Sequence, residues 1–184
     1  IVEPDVTEAE PGAPFVTVTP GDQFKLADPR IAWQGETPPP EIRGVGVSAM
    51  QLFPGEPGLA GEIIAAEGRI GAAVQKLGYA DAITNPREVI VDHADKTVRP
   101  EFRITLGELI KMDGIALKTE GRTSPEWVRS LSPWTEGDIY DPEAVAELER
   151  RLLDVGVYES VTVSLSPPAE AVDGLRPVVV SLAD

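Results

Sequence analysis

The sequence predicts an α+β fold in which one unit, ordered strand, helix, helix, strand, strand, occurs twice. Three observations lead to this prediction: two segments share a strand-like pattern, two share a helical apolar stripe that ends at glycine, and each helix is followed by two further strand-like runs. Each unit is expected to form a three-stranded mixed sheet with its helices packed on one face.

The first strand of each unit comes from two segments that align on a glycine. Residues 21–35 read GDQFKLADPRIAWQG, and residues 107–121 read GELIKMDGIALKTEG. After a gap of two residues, IAW in the first segment matches IAL in the second. Both alternate apolar and polar residues, as a half-buried strand does. Short strand-like runs precede them at 15–19 and 102–105.

Two amphipathic helices follow, and they align when Gly78 is placed on Gly156. Each has an apolar stripe at helical spacing: Ile63, Ile70, Val74 and Leu77 in the first, and Val145, Leu148, Leu152 and Val155 in the second. The two glycines suit a left-handed helix end. Asp141 before Pro142 predicts a helix start, and Ser124 before Pro125 predicts the start of a shorter helix through residue 131.

Two strand-like runs after each helix complete the units. In the first unit they are 88–92 and 97–105, joined by a turn at 93–95, and in the second they are 160–164 and 177–182.

These runs place the two domains at residues 22–107 and 108–184. Residues 1–21 are expected to be a tail that carries a remnant strand, 15–19, from a preceding domain. Residues 36–58, which include three consecutive prolines, have no evident counterpart in the second unit. They predict an inserted surface loop that begins extended.

Composition excludes several classes of function. The formal net charge is −15, and no basic stripe is visible, so nucleic acid is not an expected partner. The chain has no cysteine and one histidine, which excludes disulfides, thiolate zinc sites and sites with several histidines. No cofactor is expected, and no apolar run is long enough to cross a bilayer.

The residues that resemble catalytic groups have simpler interpretations. His93 lies between two aspartates in a short segment that is typical of a hairpin turn. Glu136, Asp138 and Asp141 form an acidic cluster, but Asp141 is already expected to cap a helix. A carboxylate-based or metal-dependent enzyme that uses Glu136 and Asp138 remains an alternative. Trp127 and Trp134 are expected to pack in a core or between the units.

The remaining candidate site is the edge of each sheet. An edge strand has backbone groups without a neighbour, and these can pair with an extended segment of another protein, a mode called β-augmentation. We expect the contact strands to be 88–92 and 160–164. The residues placed at the contact are Val89, Val91, Val161 and Val163.

The order of elements and several motifs resemble polypeptide-transport-associated (POTRA) domains of outer-membrane assembly proteins. The clearest copy is the second unit, where WTEGDIYD at 134–141 is followed by the helix and then by VGVYESVTV at 155–163. In the first unit, LGYADA at 77–82 and VDH at 91–93 fit a neighbouring domain of the same kind.

The resemblance implies a non-enzymatic region at the periplasmic face of the outer membrane, attached to a membrane barrel in the parent protein. The implied partners are unfolded outer-membrane protein or autotransporter segments, and a scaffold protein anchored in the inner membrane. A soluble periplasmic adhesion or cell-division module built from the same domains is a further alternative.

Overall fold

The computed structural model describes residues 21–183 and contains two α+β units. The elements of the first unit are β1 (Lys25–Leu26), β2 (Arg30–Gln34), α1 (Pro40–Met50), α2 (Ala60–Gln75), β3 (Ile83–Asp92) and β4 (Thr97–Thr105). Strand β4 is central. It pairs in parallel with β1 and β2 on one side and antiparallel with β3 on the other.

The second unit repeats this arrangement. Its elements are β5 (Lys111–Thr119), α3 (Pro125–Ser130), α4 (Pro142–Asp154), β6 (Ser160–Leu165) and β7 (Leu175–Ala183). Strand β7 is central, parallel to β5 and antiparallel to β6. The predicted α+β class, with a mixed sheet and two helices in each unit, is confirmed.

Each unit has its own apolar core between the sheet and the helices. The central strands supply alternate buried residues, as period-two patterning requires: Phe102 and Ile104 in β4, and Val178 and Val180 in β7, are all fully buried. The stripes predicted on the helices face these cores, with Ile63, Ile70 and Val74 buried in the first unit and Val145, Leu148 and Leu152 in the second. The prediction was wrong for Val155, which follows the last residue of α4 and is 42% exposed.

The first strand of each unit is irregular at the same place in the repeat. In the first unit, β1 and β2 lie end to end along the same side of β4. Together they take the place of one strand in a three-stranded sheet. Residues 27–29 separate them, and Asp28 has φ 49°. In the second unit the register shifts between Met112 and Ile115. This irregularity lies at the two-residue gap in the sequence alignment.

Pro100 is tolerated in the middle of the first sheet because of this break. Ala27 N–H donates to the Val98 carbonyl at 2.8 Å, so the backbone of Val98 faces β1. The backbone of Pro100, two residues later, faces the same side. Proline has no N–H to donate, and the interrupted segment 27–29 lies opposite it.

The expectation that residues 36–58 form an inserted loop was wrong for the middle of that segment. Residues 40–50 form α1, which precedes α2 as α3 precedes α4. Pro39 is extended, as predicted, but Pro40 occupies the first helical turn, where its missing N–H costs nothing. Gly46 lets α1 approach the sheet closely, because a Cβ there would lie 3.1 Å from Ile31 and Trp33.

Strand β3 begins five residues earlier than predicted, at Ile83. A bulge between Asn85 and Glu88 divides it, and Pro86 lies inside the bulge. Strands β6 and β7 match the predicted runs to within two residues.

The helix ends follow the predicted signals with one exception. The Asp141 carboxylate accepts the Glu143 N–H at 2.8 Å and caps α4. Gly78 and Gly156 have φ of 97° and 72°, which completes the helix ends as expected. Helix α3 begins after Ser124, but the Ser124 side chain makes no capping hydrogen bond.

The strand expected at 15–19, and nearly all of the expected tail, lie outside the described residues. Among residues 21–183, no helix is long and apolar enough to cross a membrane.

Candidate functional site

The outer edge of β3 directs the backbone groups of Val89 and Val91 away from the sheet. Because Val98 faces β1, alternation makes Thr97, Arg99 and Glu101 face β3. Their partners in the register are Asp92, Ile90 and Glu88. Val89 and Val91 therefore turn their N–H and C=O groups outward, and within residues 21–183 β3 pairs with β4 alone.

The same stretch of β3 is apolar on both faces and open to solvent. Val89 and Val91 lie opposite Pro100 and Val98, which are buried, so their side chains are on the helix face of the sheet. They are nevertheless 39% and 46% exposed, and Ile90 on the other face is 50% exposed. Three consecutive exposed apolar residues at an edge are typical of an interaction site.

Helix α2 packs on the first part of β3, although Ile83 and Thr84 there are exposed. A Cβ on Gly71 would lie 3.3 Å from Thr84 Cγ2, so the helix packs directly on this part of the strand. Glu67 of α2 then forms an ion pair with Arg87 inside the bulge. The segment of the edge with three consecutive exposed apolar residues, 88–92, lies after the bulge.

The outer edge of β6 differs because a side chain already occupies it. Ser166 N–H donates to Pro177 O at 3.0 Å, so alternation makes Ser164 and Thr162 face β7. Val161, Val163 and Leu165 therefore direct their N–H groups outward. The Val163 N–H donates to a carboxylate oxygen of Glu149 in α4 at 3.3 Å. Val163 itself is 7% exposed, and its side chain packs in the core of the second unit.

The charged residues of α4 suggest a face that contacts only solvent. Glu147 fits this interpretation, but Glu149 does not. Glu147 pairs with Arg150 and Arg151 on that surface, and the guanidinium groups lower the pKa of its carboxyl. Glu149 instead reaches the edge strand. Sequence reasoning missed this contact. The one available signal was that Glu149 aligns with Gly71 in the repeat, so a long charged side chain stands where the other helix has none.

The two units contact each other where α2 ends. Ile110 N–H donates to the Gly78 carbonyl at 2.9 Å. Arg176 of β7 is buried, donates from Nε to Ser166 O at 3.0 Å, and donates from Nη1 to Asp81 Oδ2 of the first unit at 2.6 Å. Lys76 and Glu143 form a further ion pair between the units.

The candidate catalytic residues His93, Asp138 and Asp141 make local structural contacts. The turn after β3 is closed by Asp92, whose carboxylate accepts the N–H groups of Ala94 and Asp95, and the His93 ring packs edge-on against Phe24. Asp138 accepts the Thr135 N–H at 2.8 Å, which lowers the pKa of its carboxyl.

The two tryptophans have different environments. Trp134 is buried in the core of the second unit, as predicted, and its indole N–H donates to Asp113 O at 3.4 Å. Trp127 is 37% exposed, so the prediction of core packing was wrong for that residue.

Comparison with known families identifies one match. The POTRA family model, described as "Surface antigen variable number repeat", matches residues 110–181, which lie within the second unit. No curated protein sequence matches the chain at a significant level.

Solved structures share the fold of both units. The structure of Haemophilus influenzae BamA POTRA3-5 is 23% identical, with a TM-score of 0.63, over 99% of this chain and 71% of that chain. BamA from Haemophilus ducreyi lacking POTRA domains 1-3 is 21% identical, with a TM-score of 0.68, over 88% of this chain and 29% of that one.

A third structure, POTRA1-2 of the periplasmic domain of Omp85 from Anabaena, is 15% identical with a TM-score of 0.54. It covers 88% of this chain and 96% of its own. The predicted POTRA-like fold is therefore confirmed.

Proposed function

We propose that this region is a non-enzymatic, periplasmic interaction module of an outer-membrane β-barrel assembly or translocation protein, and that it binds extended polypeptide segments by β-augmentation. The observation that carries the proposal is the open edge of β3 at 88–92. It combines outward backbone groups with exposed apolar side chains.

The fold supports the biological setting of the proposal. Two of the similar structures are POTRA domains, one set from BamA and one from the periplasmic domain of Omp85. Within the family we propose the outer-membrane subunit of the translocation and assembly module, TamA, as the nearest type, on the sequence motifs at 134–141 and 155–163. The parent protein then carries a membrane barrel, and the module lies at the periplasmic face of the outer membrane.

The edge geometry specifies which partners fit. A strand that pairs with β3 forms main-chain hydrogen bonds, which read little sequence, and alternate apolar side chains of the partner contact Val89 and Val91. Unfolded segments of outer-membrane proteins or autotransporters alternate apolar and polar residues and meet this requirement. A second proposed partner is a scaffold protein anchored in the inner membrane. It would offer one exposed strand, which pairs with β3 through the same main-chain hydrogen bonds.

The carboxylate or metal-dependent enzyme is the less favoured function. Asp138 and Asp141 each accept a local backbone N–H, so both have structural roles. Among residues 21–183, no three His, Cys, Asp or Glu side chains are grouped so that they could hold a metal ion.

A pair of proline substitutions tests the proposal. Val91→Pro removes an outward N–H and should weaken binding of a synthetic nine-residue strand of alternating Val and Thr while the chain stays folded. Ile90→Pro is the matched variant, because it removes an N–H that faces β4 and should destabilise the sheet. Binding is measured by fluorescence anisotropy and folding by circular dichroism. Unchanged binding by folded Val91→Pro, together with unchanged binding by Val161→Pro, would refute the proposal.

A further inference from the structure

The edge strands β3 and β6 occupy equivalent positions in the repeat, but within residues 21–183 only β6 has an outward N–H that is bonded to a side chain of its own unit. Trp33 and Leu117 match in the repeat and pair with Ile104 and Val180. Thr84 of β3 lies opposite Ile104, and Val163 of β6 lies opposite Val180. Thr84 and Val163 are therefore equivalent residues.

The helix residues beside them are equivalent as well. Aligning Ile70 with Leu148 places Gly71 on Glu149. In the first unit, Gly71 has no side chain that could reach the edge, and α2 packs against Thr84 there. In the second unit, the glutamate extends from α4 and bonds the outward N–H of Val163.

This contact fills the central position of the β6 edge. Val161, Val163 and Leu165 are the residues whose N–H groups point outward, and an added strand must bond to Val163 to pair along the whole edge. The Glu149 carboxylate is a charge-assisted acceptor for that group. An incoming strand therefore has to displace it, whereas the open part of β3 at Val89 and Val91 is vacant among the described residues.

We infer that Glu149 is a side-chain cap that closes the β6 edge, and that an extended segment pairs with β6 only by displacing this carboxylate, which selects segments with a Lys or Arg opposite Val163. The second part of this inference rests on the proposed function. A displaced carboxylate needs a new partner, and the chain as a whole is strongly acidic, so a basic residue on the incoming strand supplies the favourable pairing.

The cap itself is tested in the free 184-residue chain by amide hydrogen exchange measured with NMR. We expect the Val163 amide to exchange about two- to tenfold more slowly than those of Val161 and Leu165. Glu149→Ala should remove this difference, and Glu149→Gln, which keeps an oxygen acceptor, should keep part of it. Glu147→Ala removes the same charge from the same helix and should leave Val163 unchanged. Equal exchange at the three wild-type amides would overturn the cap.

The selectivity is tested with two synthetic eight-residue strands of alternating Val and Thr that differ only in a central Lys or Glu. In the wild-type chain the Lys peptide should perturb the β6 amides at about two- to tenfold lower concentration than the Glu peptide. In Glu149→Ala both peptides should bind β6 more tightly, and the difference between them should be smaller than in Glu147→Ala, which removes the same charge from the same helix.

Comparing peptide binding at β3 with peptide binding at β6 distinguishes a failure of this inference from a failure of the proposed function. If both peptides bind at Val89 and Val91, but Glu149→Ala leaves binding at β6 unchanged, gating by Glu149 is wrong and strand addition stands. If neither peptide binds either edge in any variant, strand addition itself fails, and selection at β6 fails with it.

Discussion

Replacing Gly78 with alanine tests whether the end of α2 forms a close contact between the units. Gly78 has φ 97°, and a Cβ built there would lie 2.8 Å from Leu109 Cδ1 and closer still to Ile139 Cγ2. Gly156 supplies a matched control. It ends α4 in the same way, has φ 72°, and has no atom within 4 Å of a built Cβ.

The expected magnitude is the sum of a conformational term and a packing term. An alanine forced to positive φ costs about 1–2 kcal/mol, and this term applies at both positions. Overpacking against side chains that must move costs about 1–3 kcal/mol more, and it applies at Gly78 alone. We therefore expect Gly156→Ala to cost about 1–2 kcal/mol and Gly78→Ala about 2–5 kcal/mol.

Urea unfolding followed by NMR peaks from both units measures these values. Hydrogen exchange at Ile110, whose N–H donates to the Gly78 carbonyl, reports the contact directly. In Gly78→Ala the Ile110 amide should lose protection, and in Gly156→Ala it should keep it. Equal destabilisation by the two substitutions, with Ile110 still protected in both, would refute the reasoning.

Three other perturbations have defined outcomes. Asp81→Asn leaves the buried guanidinium of Arg176 without its countercharge and should lower the free energy of unfolding by about 1–3 kcal/mol in urea titrations; no loss would mean that the pair is not formed in solution. Phe102→Ala opens a cavity in the first core and should cost about 3–5 kcal/mol, with a loss under 1 kcal/mol contradicting full burial. The Thr135 N–H lowers the folded-state pKa of Asp138, so its contribution to stability is present above the ordinary aspartate pKa, about 3.9, and is lost as pH falls through the lower folded value. Asp138→Asn should therefore reduce the acid-induced fall in Tm, and an unchanged pH profile would contradict the assignment.

An element could be predicted from the sequence where residues at its own ends mark its start and its finish. Helix α4 has a capping aspartate at Asp141, a regular apolar stripe and a glycine at its end, and the structure forms it as expected. Helix α1 lacks such signals. It begins at the third of three prolines and contains Gly44 and Gly46, both weak helix formers. It packs on Ile31 and Trp33, and Arg69 of α2 donates to the carbonyl of Met50 at its end, contacts that sequence spacing does not show.

Alternation in the sequence was enough to predict both edge strands as candidate partner sites. It could not predict that a glutamate occupies the edge of β6 and that, among the described residues, no side chain occupies the edge of β3 at Val89 and Val91. Alternation in the sequence placed Val89, Val91, Val161 and Val163 on strands, and their role in partner binding stays a prediction. The state of each edge depends on contacts between distant residues. Glu149 reaches Val163 across fourteen positions of the chain, whereas the equivalent Gly71 only packs against Thr84. Charge and spacing within α4 alone indicate only a solvated helix face.

The most direct test of strand addition is residue-resolved amide exchange in the 184-residue chain, with and without a nine-residue strand from an outer-membrane barrel protein. We predict that the Val89 and Val91 amides exchange markedly more slowly when the segment binds, while the exchange of Ile90, which is already bonded to β4, changes little. Binding that leaves Val89 and Val91 exchanging at their free rates would contradict the assignment of β3 as the edge that accepts a partner strand.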